Sequence, residues 1–223
     1  MTLKLAIFDM DGTLVDSRDV IQTAMERAFA SCGLAAPAYE ATRKTIGLGL
    51  AEALQTLAPD YQEIDRLVTA YREAFVLRRA EPGFREPLYD GAIETLERLA
   101  NDNWLIAMAT GKTHQGIRAI FDMHPLEQYF DTVWCADDGP GKPHPHMVEQ
   151  AMKALGCEPG QSLIIGDAVH DITMGRNAGI HTMGVSWGFG EAHELEAVGA
   201  HEIHHDFKTL NNGLDAFAEG IVR

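Results

Sequence analysis

The chain has 223 residues, of which 46% are hydrophobic and 23% are charged, and these proportions are those of an ordinary globular protein. A chain of this length can bury a full hydrophobic core without disulfides, and its three cysteines lie far apart with no Cys-x-x-Cys pair. The formal net charge of −15 argues against a nucleic-acid partner, because binding to a phosphate backbone requires concentrated lysine and arginine. The cysteine usage is typical of a reducing cytoplasm.

The N-terminal segment turns acidic at Asp9, after a short apolar run. That run is too short for the core of a signal peptide and is not followed by a small-residue cleavage site. No apolar run in the sequence approaches the length that spans a membrane. We therefore expect a soluble, cytoplasmic protein without a membrane partner, as a monomer or a homodimer.

Short apolar runs rich in β-branched or aromatic residues predict the strands. Their near-continuous hydrophobicity favours strands buried on both faces, as in a parallel sheet. Amphipathic helical patterns separate the last four of them, and alternating strand and helix predicts an α/β fold with a doubly wound, Rossmann-like sheet. The predicted strands are Leu3–Phe8, Leu105–Ala109, Thr132–Ala136, Ser162–Ile165 and His181–Val185.

The segment after the first strand has a different pattern. Ser17 is a candidate N-cap for a helix whose apolar face runs from residue 20 to 29, and Gly33 would end that helix. A second amphipathic stretch covers residues 64 to 75, and the βα alternation begins only after a segment rich in proline and glycine. We therefore predict an all-helical insert over residues 16–85, flanked by core segments over residues 1–15 and 86–223.

The strongest chemical signal is the Asp-x-Asp-Gly-Thr sequence that begins at Asp9, directly after the first strand. Ligands of open α/β sheets bind beyond the carboxyl ends of the strands. Two carboxylates one residue apart can converge there, so that Asp9 attacks a substrate while Asp11 transfers protons. Gly12 permits the tight turn that returns the chain over the site.

This sequence and three later ones together resemble the haloacid dehalogenase superfamily of phosphatases, in the subgroup with a helical cap inserted after the first motif. The resemblance covers nearly the whole chain. Within the superfamily, the chain resembles the phosphoglycolate phosphatase group. The four matching segments are Asp9–Ser17, Thr110–Lys112, Gly141–Pro145 and Gly166–Asp171.

The resemblance implies a role for each matching position, and elementary chemistry agrees with it. Thr110 and the amide of Gly111 can donate hydrogen bonds to phosphate oxygens at the start of a helix, although Thr110 alone would read as a plain N-cap. Lys142 can balance the charge of Asp9 and of the transferring phosphoryl group.

The resemblance also implies a Mg²⁺ site. Asp9, the carbonyl of Asp11 and Asp167 would be its ligands, because carboxylate and carbonyl oxygens suit this ion. Asp171 is expected to be an outer or water-mediated ligand or a partner of Lys142, and a helix N-terminal acid is the alternative. Ala168 departs from the serine or threonine that is common in the family.

The carboxylate at Asp11 selects between branches of the family. The dehalogenases have an aromatic residue there and the phosphonatases an alanine, so Asp11 favours phosphate esters or phosphoryl transfer. The implied mechanism is attack by Asp9 on phosphorus, with Asp11 protonating the leaving alcohol and then activating the water that hydrolyses the aspartyl phosphate.

Substrate selection would fall to the insert. Arg43, ahead of Gly47, resembles the cap's specificity loop, and we expect it to meet a second negative charge in a small anionic ester such as phosphoglycolate; a solvated helix-end arginine is the alternative. His201, His204 and His205 are expected to lie in a solvent-exposed segment and not in a metal site.

The sequence thus predicts a Mg²⁺-dependent phosphatase for a small phosphorylated metabolite. A phosphoglucomutase-like transferase could use the same residues and would exchange phosphate instead of releasing it. A phospho-accepting receiver domain is a further alternative, but in receivers the acceptor aspartate follows a later strand and no cap follows the first.

Overall fold

The computed structural model describes residues 3–222. Its centre is a sheet of six parallel strands in the order β3-β2-β1-β4-β5-β6. The strands are β1 Leu5–Phe8, β2 Leu105–Ala109, β3 Thr132–Trp134, β4 Ser162–Gly166, β5 His181–Val185 and β6 Glu202–His204. The chain starts in the middle of the sheet, builds one side of it and then crosses β1 to build the other, so the predicted doubly wound α/β fold is confirmed.

Burial on both faces explains the near-continuous apolar strands. In β1, Ala6 and Phe8 belong to one core cluster, while Leu5 and Ile7 belong to the other. The first cluster is covered by α5 (Ala92–Asn101), α6 (His114–Met123) and α10 (Phe207–Val222). The second cluster is covered by α7 (His146–Leu155) and α8 (Val169–Asn177), and α9 (Ala192–Ala197) follows β5.

The insert between β1 and α5 is helical throughout its regular structure. It contains α1 (Arg18–Ser31), α2 (Tyr39–Arg43), α3 (Leu50–Leu57) and α4 (Ile64–Arg79). Helices α1, α3 and α4 share a small core of their own, built around Met25, Phe29, Leu54 and Leu67. Ser17 holds the N-cap position of α1 as predicted, but its buried hydroxyl makes no capping hydrogen bond. We call residues 16–85 the cap.

Three predicted strand ends differ from the structure. Strand β1 begins at Leu5 instead of Leu3, β3 ends at Trp134 instead of Ala136, and β4 ends at Gly166 instead of Ile165. The early end of β3 has a local cause, since the Asp138 carboxylate accepts a hydrogen bond from the Cys135 amide at 2.8 Å. That bond turns the chain away from the sheet.

The expectation of a solvent-exposed histidine segment holds for His201 and His205 but not for His204, which is buried. Residues 202–204 form β6 at the edge of the sheet. His201 and His205 are exposed but bonded: the Thr182 amide donates to Nδ1 of His201 at 3.0 Å, and His205 Nδ1 lies 2.6 Å from the Ser186 hydroxyl. These histidines fasten the last strand to its neighbour.

Candidate active site

The candidate site lies at the carboxyl ends of the central strands. Asp9 follows β1, Asp167 follows β4 and Thr110 follows β2. Because β1 pairs with both β2 and β4, three residues that are far apart in sequence meet in one crevice. The order of the strands thus places the site where the sheet changes its winding direction.

Lys142 connects two of the acidic residues. Its Nζ atom lies 2.6 Å from Oδ1 of Asp9 and 2.6 Å from Oδ1 of Asp171, and all three side chains are buried. The other carboxylate oxygen of Asp171 accepts a hydrogen bond from the Ala168 amide at 3.0 Å, at the start of α8. Asp171 is therefore both a partner of Lys142 and a helix N-terminal acid, which were two of the alternatives open for it.

Asp167 is held by donors on both oxygens. The Thr13 hydroxyl donates to Oδ1 at 2.9 Å, and the Phe189 amide donates to Oδ2 at 2.7 Å. Gly12 and Gly188 pack against this carboxylate so closely that a Cβ atom at either position would overlap it. Gly12 also has a φ of +83°, so the turn requires glycine for its backbone as well as for space.

The buried carboxylates repel one another. Asp9, Asp167 and Asp171 each offer an oxygen within 4.8 Å of the others. Burial raises the pKa of Asp9 to about 7 despite the opposing charge of Lys142, and burial together with the charge of Asp9 raises the pKa of Asp167. Burial would lower the pKa of Lys142, but Asp171 and Asp9 outweigh it and hold that pKa above its ordinary value. One ammonium among three carboxylates leaves an excess of negative charge.

Thr110 and Gly111 occupy the side of the crevice opposite Asp167. Thr110 is fully buried, and its hydroxyl oxygen accepts a hydrogen bond from the Lys112 amide at 3.3 Å, so the hydroxyl proton is available to another acceptor. Helix α6 starts just beyond, with the Thr113 hydroxyl accepting from the Gly116 amide at 3.2 Å. The N-terminal end of α6 therefore points its dipole into the crevice.

Lys112 is a site residue that the sequence reasoning overlooked. Its Nζ atom lies 2.7 Å from Oδ1 of Asp11 and 3.7 Å from Oε1 of Glu86, and the Glu86 side chain is fully buried. Glu86 also accepts from the cap residue Arg79 at 2.9 Å. The position of Lys112 in the second matching segment, Thr110–Lys112, was a signal in the sequence that it belongs to the site. Its contact with Asp11 is visible only in the fold.

A cavity of about 380 Å³ opens from Asp9 and Asp11 into the cap. Its cap walls come from α1, from the loop at residues 45–48, from the first turn of α3 and from α4. Gly47 lines it and has a φ of +96°; in the same loop, the carbonyl oxygens of Gly47 and Leu48 press so closely on Gly111 that a Cβ atom there would lie 3.0 and 3.1 Å from them. The cap is therefore seated on the core in this structure.

Arg43 lies elsewhere than its expected role requires. Its guanidinium donates to both carboxylate oxygens of Glu194 in α9, at 2.7 and 3.2 Å, and to Glu40 at 2.7 Å. Hydrogen bonding from Arg43 lowers the pKa of Glu194 to about 2. Arg43 is not among the residues that line the cavity, and its ion pair with Glu194 makes it a link between cap and core in this structure.

Comparison with known proteins accounts for this arrangement. The family model described as haloacid dehalogenase-like hydrolase matches residues 6–185. The chain belongs to the haloacid dehalogenase-like hydrolases. The resemblance read from the four motifs is thereby confirmed.

Curated relatives of this hydrolase are phosphatases. It is 33% identical over 196 residues to the "Probable phosphatase IndB" of Dickeya dadantii, covering 86% of this chain and 85% of that protein. It is 28% identical over 211 residues to the pyrophosphatase PpaX of Oceanobacillus iheyensis, covering 94% and 96%. The expected enzyme class is confirmed: the chain is a phosphatase-type hydrolase of this family.

Solved structures share the fold of the hydrolase over nearly its full length. A hydrolase from Pseudomonas syringae aligns with a TM-score of 0.85 at 27% identity, covering 96% of this chain and 98% of that one. A predicted phosphatase from Clostridium acetobutylicum aligns with a TM-score of 0.84 at 23% identity, covering 96% of this chain and 99% of that one. Between residues 3 and 222, no helix is both long enough and apolar enough to cross a membrane.

Proposed function

We propose that this hydrolase is a Mg²⁺-dependent phosphatase that cleaves a small phosphate monoester through a phosphorylated Asp9. The observation that carries the proposal is the buried contact of Lys142 with both Asp9 and Asp171, beside Asp167 and at the end of the central strand. The Asp9 carboxylate can act as the nucleophile from that position, and the fixed ammonium of Lys142 beside it can stabilise the charge of the transferring phosphoryl group.

The acidic residues suit a Mg²⁺ ion. Their donors are hard carboxylate oxygens, and three buried carboxylates beside the single ammonium of Lys142 leave an excess of negative charge that a divalent cation would balance. Asp9, Asp167 and the main chain of Asp11 would hold the ion, with Asp171 behind Lys142 as an outer partner. Bound Mg²⁺ would supply positive charge to the phosphoryl oxygens during transfer.

The protein's own residues perform the proton and phosphoryl transfers. A carboxylate oxygen of Asp9 forms a bond to phosphorus as the bond from phosphorus to the ester oxygen breaks, and Asp11 donates its proton to the departing alkoxide. Asp11 then removes a proton from water, whose oxygen attacks the same phosphorus and releases Asp9 as a free carboxylate. The Thr110 hydroxyl and the N-terminal end of α6 bind the phosphoryl oxygens throughout.

The proposed partner is a small phosphorylated metabolite, and phosphoglycolate is a natural member of any substrate panel. The net charge of −15 supports an enzyme without a nucleic-acid partner. We propose that it works in the cytoplasm, as a monomer or homodimer and without a membrane partner. A phosphoglucomutase-like transferase would return the phosphoryl group to a second hydroxyl, so release of inorganic phosphate distinguishes the two reactions.

The test is hydrolysis of a panel of phosphate monoesters with Mg²⁺, with Asp9→Asn as the matched inactive variant. The amide is nearly isosteric with the carboxylate but cannot act as the nucleophile, so turnover should fall to background while the circular dichroism spectrum is unchanged. A folded Asp9→Asn variant that kept most of its activity would rule out the aspartyl-phosphate mechanism.

A further inference from the structure

The cavity beyond the phosphoryl site has mostly apolar walls. Ile21 and Met25 of α1, Ile46 and Leu48 of the cap loop, and Phe75 and Val76 of α4 all line it. The cavity is continuous with Asp9 and Asp11, so the alcohol part of a phosphate ester bound for attack by Asp9 would extend into it. The surface that meets this alcohol is therefore mostly hydrocarbon.

Most polar side chains along the cavity already have partners. Lys112 is paired with Asp11 and Arg79 with Glu86, while the Thr45 hydroxyl donates to the Thr42 carbonyl at 2.8 Å. Among the described lining residues, Tyr71, Arg72 and Gln115 have no polar partner, and the last two are exposed. A leaving group with several hydroxyls would lose its water without regaining as many hydrogen bonds, which is unfavourable.

The volume argues against a very small leaving group. A cavity of about 150 Å³ holds a benzene molecule, so the 380 Å³ found here has room for a phosphoryl group and roughly six to ten further non-hydrogen atoms. Glycolate would leave much of this apolar surface in contact with water. An apolar group of the right size would remove that surface from water and gain binding free energy.

We propose that the cavity selects phosphate monoesters whose leaving alcohol carries a compact apolar body, in preference to hydroxyl-rich sugars or short anionic alcohols. The inference rests on the proposed phosphatase function and names its substrate class. Phe75 and Val76 would contact the apolar body, and the exposed Arg72 would remain at the solvent side.

The test uses the n-alkyl phosphates from methyl to hexyl, whose leaving alcohols differ little in acidity but increase steadily in apolar area. Each methylene that enters an apolar site should raise kcat/KM by about threefold. Hexyl phosphate should therefore exceed methyl phosphate by about 30-fold if three of its additional methylenes enter the cavity, and by about 200-fold if all of them do. Pentyl phosphate should likewise exceed ribose 5-phosphate, which has the same number of carbons but several hydroxyls. Phosphoglycolate should rank with the short esters.

Two neighbouring residues of α4 provide a matched pair of variants. Val76 lines the cavity and is 60% exposed, whereas Leu77 is 63% exposed and does not line it. Val76→Ser should flatten the dependence on chain length, and Leu77→Ser should leave it as in the wild type. Both positions are largely exposed, so neither substitution threatens the fold.

The outcomes separate this inference from the function on which it rests. Hydrolysis that depends on Asp9 but does not rise from methyl to hexyl phosphate, or that favours ribose 5-phosphate, would overturn the apolar substrate class alone. Equal flattening by Val76→Ser and Leu77→Ser would overturn the assignment of the cavity wall. An absence of Asp9-dependent hydrolysis with every ester would overturn the proposed function itself.

Discussion

Nζ of Lys112 lies 2.7 Å from Oδ1 of Asp11 and 3.7 Å from Oε1 of Glu86. Glu86 is fully buried and accepts from Arg79 at the end of α4. Lys112 therefore connects Asp11, which is proposed to act as both the general acid and the general base, to the segment that joins cap and core. Asp11 is positioned by this ion pair and not by its backbone alone.

The first prediction concerns this lysine. Lys112→Met keeps the aliphatic length but removes the ammonium, so the Asp11 carboxylate can rotate away from the leaving oxygen and the attacking water. We expect kcat to fall by about 10- to 100-fold, which is typical of a misplaced catalytic group. With p-nitrophenyl phosphate, whose leaving group needs little protonation, intact mass should show a larger fraction of phosphorylated enzyme during turnover than in the wild type. Lys153→Met, an exposed change on α7, is the control, and equal losses in both variants would refute the positioning role.

Removing the acid itself should separate the two half-reactions. Asp11→Ala leaves Asp9 able to attack, but the departing alkoxide receives no proton and the water is not activated. With p-nitrophenyl phosphate, whose leaving group needs little protonation, formation of the aspartyl phosphate should be partly rescued. The intermediate should then accumulate and be detected on Asp9 by mass spectrometry. Equal losses with activated and unactivated leaving groups would contradict the acid role.

Metal binding should be visible in stability as well as in activity. Chelation with EDTA should abolish turnover and Mg²⁺ should restore it, while excess Ca²⁺ should inhibit because it favours longer bonds and more ligands. At 100 times its Kd, Mg²⁺ should stabilise the folded protein by about 2.7 kcal/mol, a rise of about 5–10 °C in Tm for a chain of this size. Asp167→Asn should lose most of this rise. A variant that kept the full Mg²⁺ effect would exclude Asp167 as a ligand.

Loss of the Arg43 link between cap and core should lower kcat/KM for all substrates by similar factors. Arg43→Ala removes the contacts with Glu194 and Glu40, which weakens the seating of the cap without changing the cavity wall. We expect kcat/KM for phosphoglycolate and for p-nitrophenyl phosphate to fall by similar factors. Arg66→Ala, which removes an exposed ion pair within the cap, should change neither. A loss confined to phosphoglycolate would restore the specificity role expected from the sequence.

His204 should make the fold sensitive to acid. Burial lowers its pKa below the ordinary value of 6.5, although the neighbouring Glu202 opposes the shift. Since the unfolded chain binds the proton more readily, this contribution to stability is complete above about pH 6.5 and is lost as pH falls towards the folded pKa. His204→Leu should therefore make the free energy of unfolding less dependent on pH between 7 and 5. His193→Leu, at an exposed position of α9, should leave that dependence unchanged.

The sequence predicted the sheet because its central strands are apolar on both faces. Leu5–Phe8 and Ser162–Gly166 are buried along their whole length, so their composition reports their environment directly. Strand β6 was missed for the opposite reason: Glu-Ile-His is short and polar, and it becomes a strand only because β5 offers an open edge. Tertiary pairing decided that element, not local preference.

The part of the candidate site that lies within the four motifs was predictable from the sequence. The contacts made by residues outside the motifs were not. Asp9 and Lys142 are 133 residues apart, yet each falls in a short sequence whose family resemblance implied that they meet. Glu86 lies in a linker without any pattern, and nothing in its neighbours indicates that it will be buried beside Lys112 and Arg79. Arg43 was assigned to the substrate because only the fold reveals that Glu194 lies within its reach.

The packing of Gly12 and Gly188 on Asp167 has a consequence for how related sequences can diverge. Both glycines abut the same carboxylate oxygen although they are separated by most of the chain, so a side chain at either one would displace it. No single compensating exchange at the other glycine would restore the space. We therefore expect these three positions to change together or not at all. A homologue with a bulkier residue in place of either glycine should also lack an acidic residue at the position of Asp167. Such a homologue would be a candidate for a binding protein that retains the fold but does not catalyse the reaction.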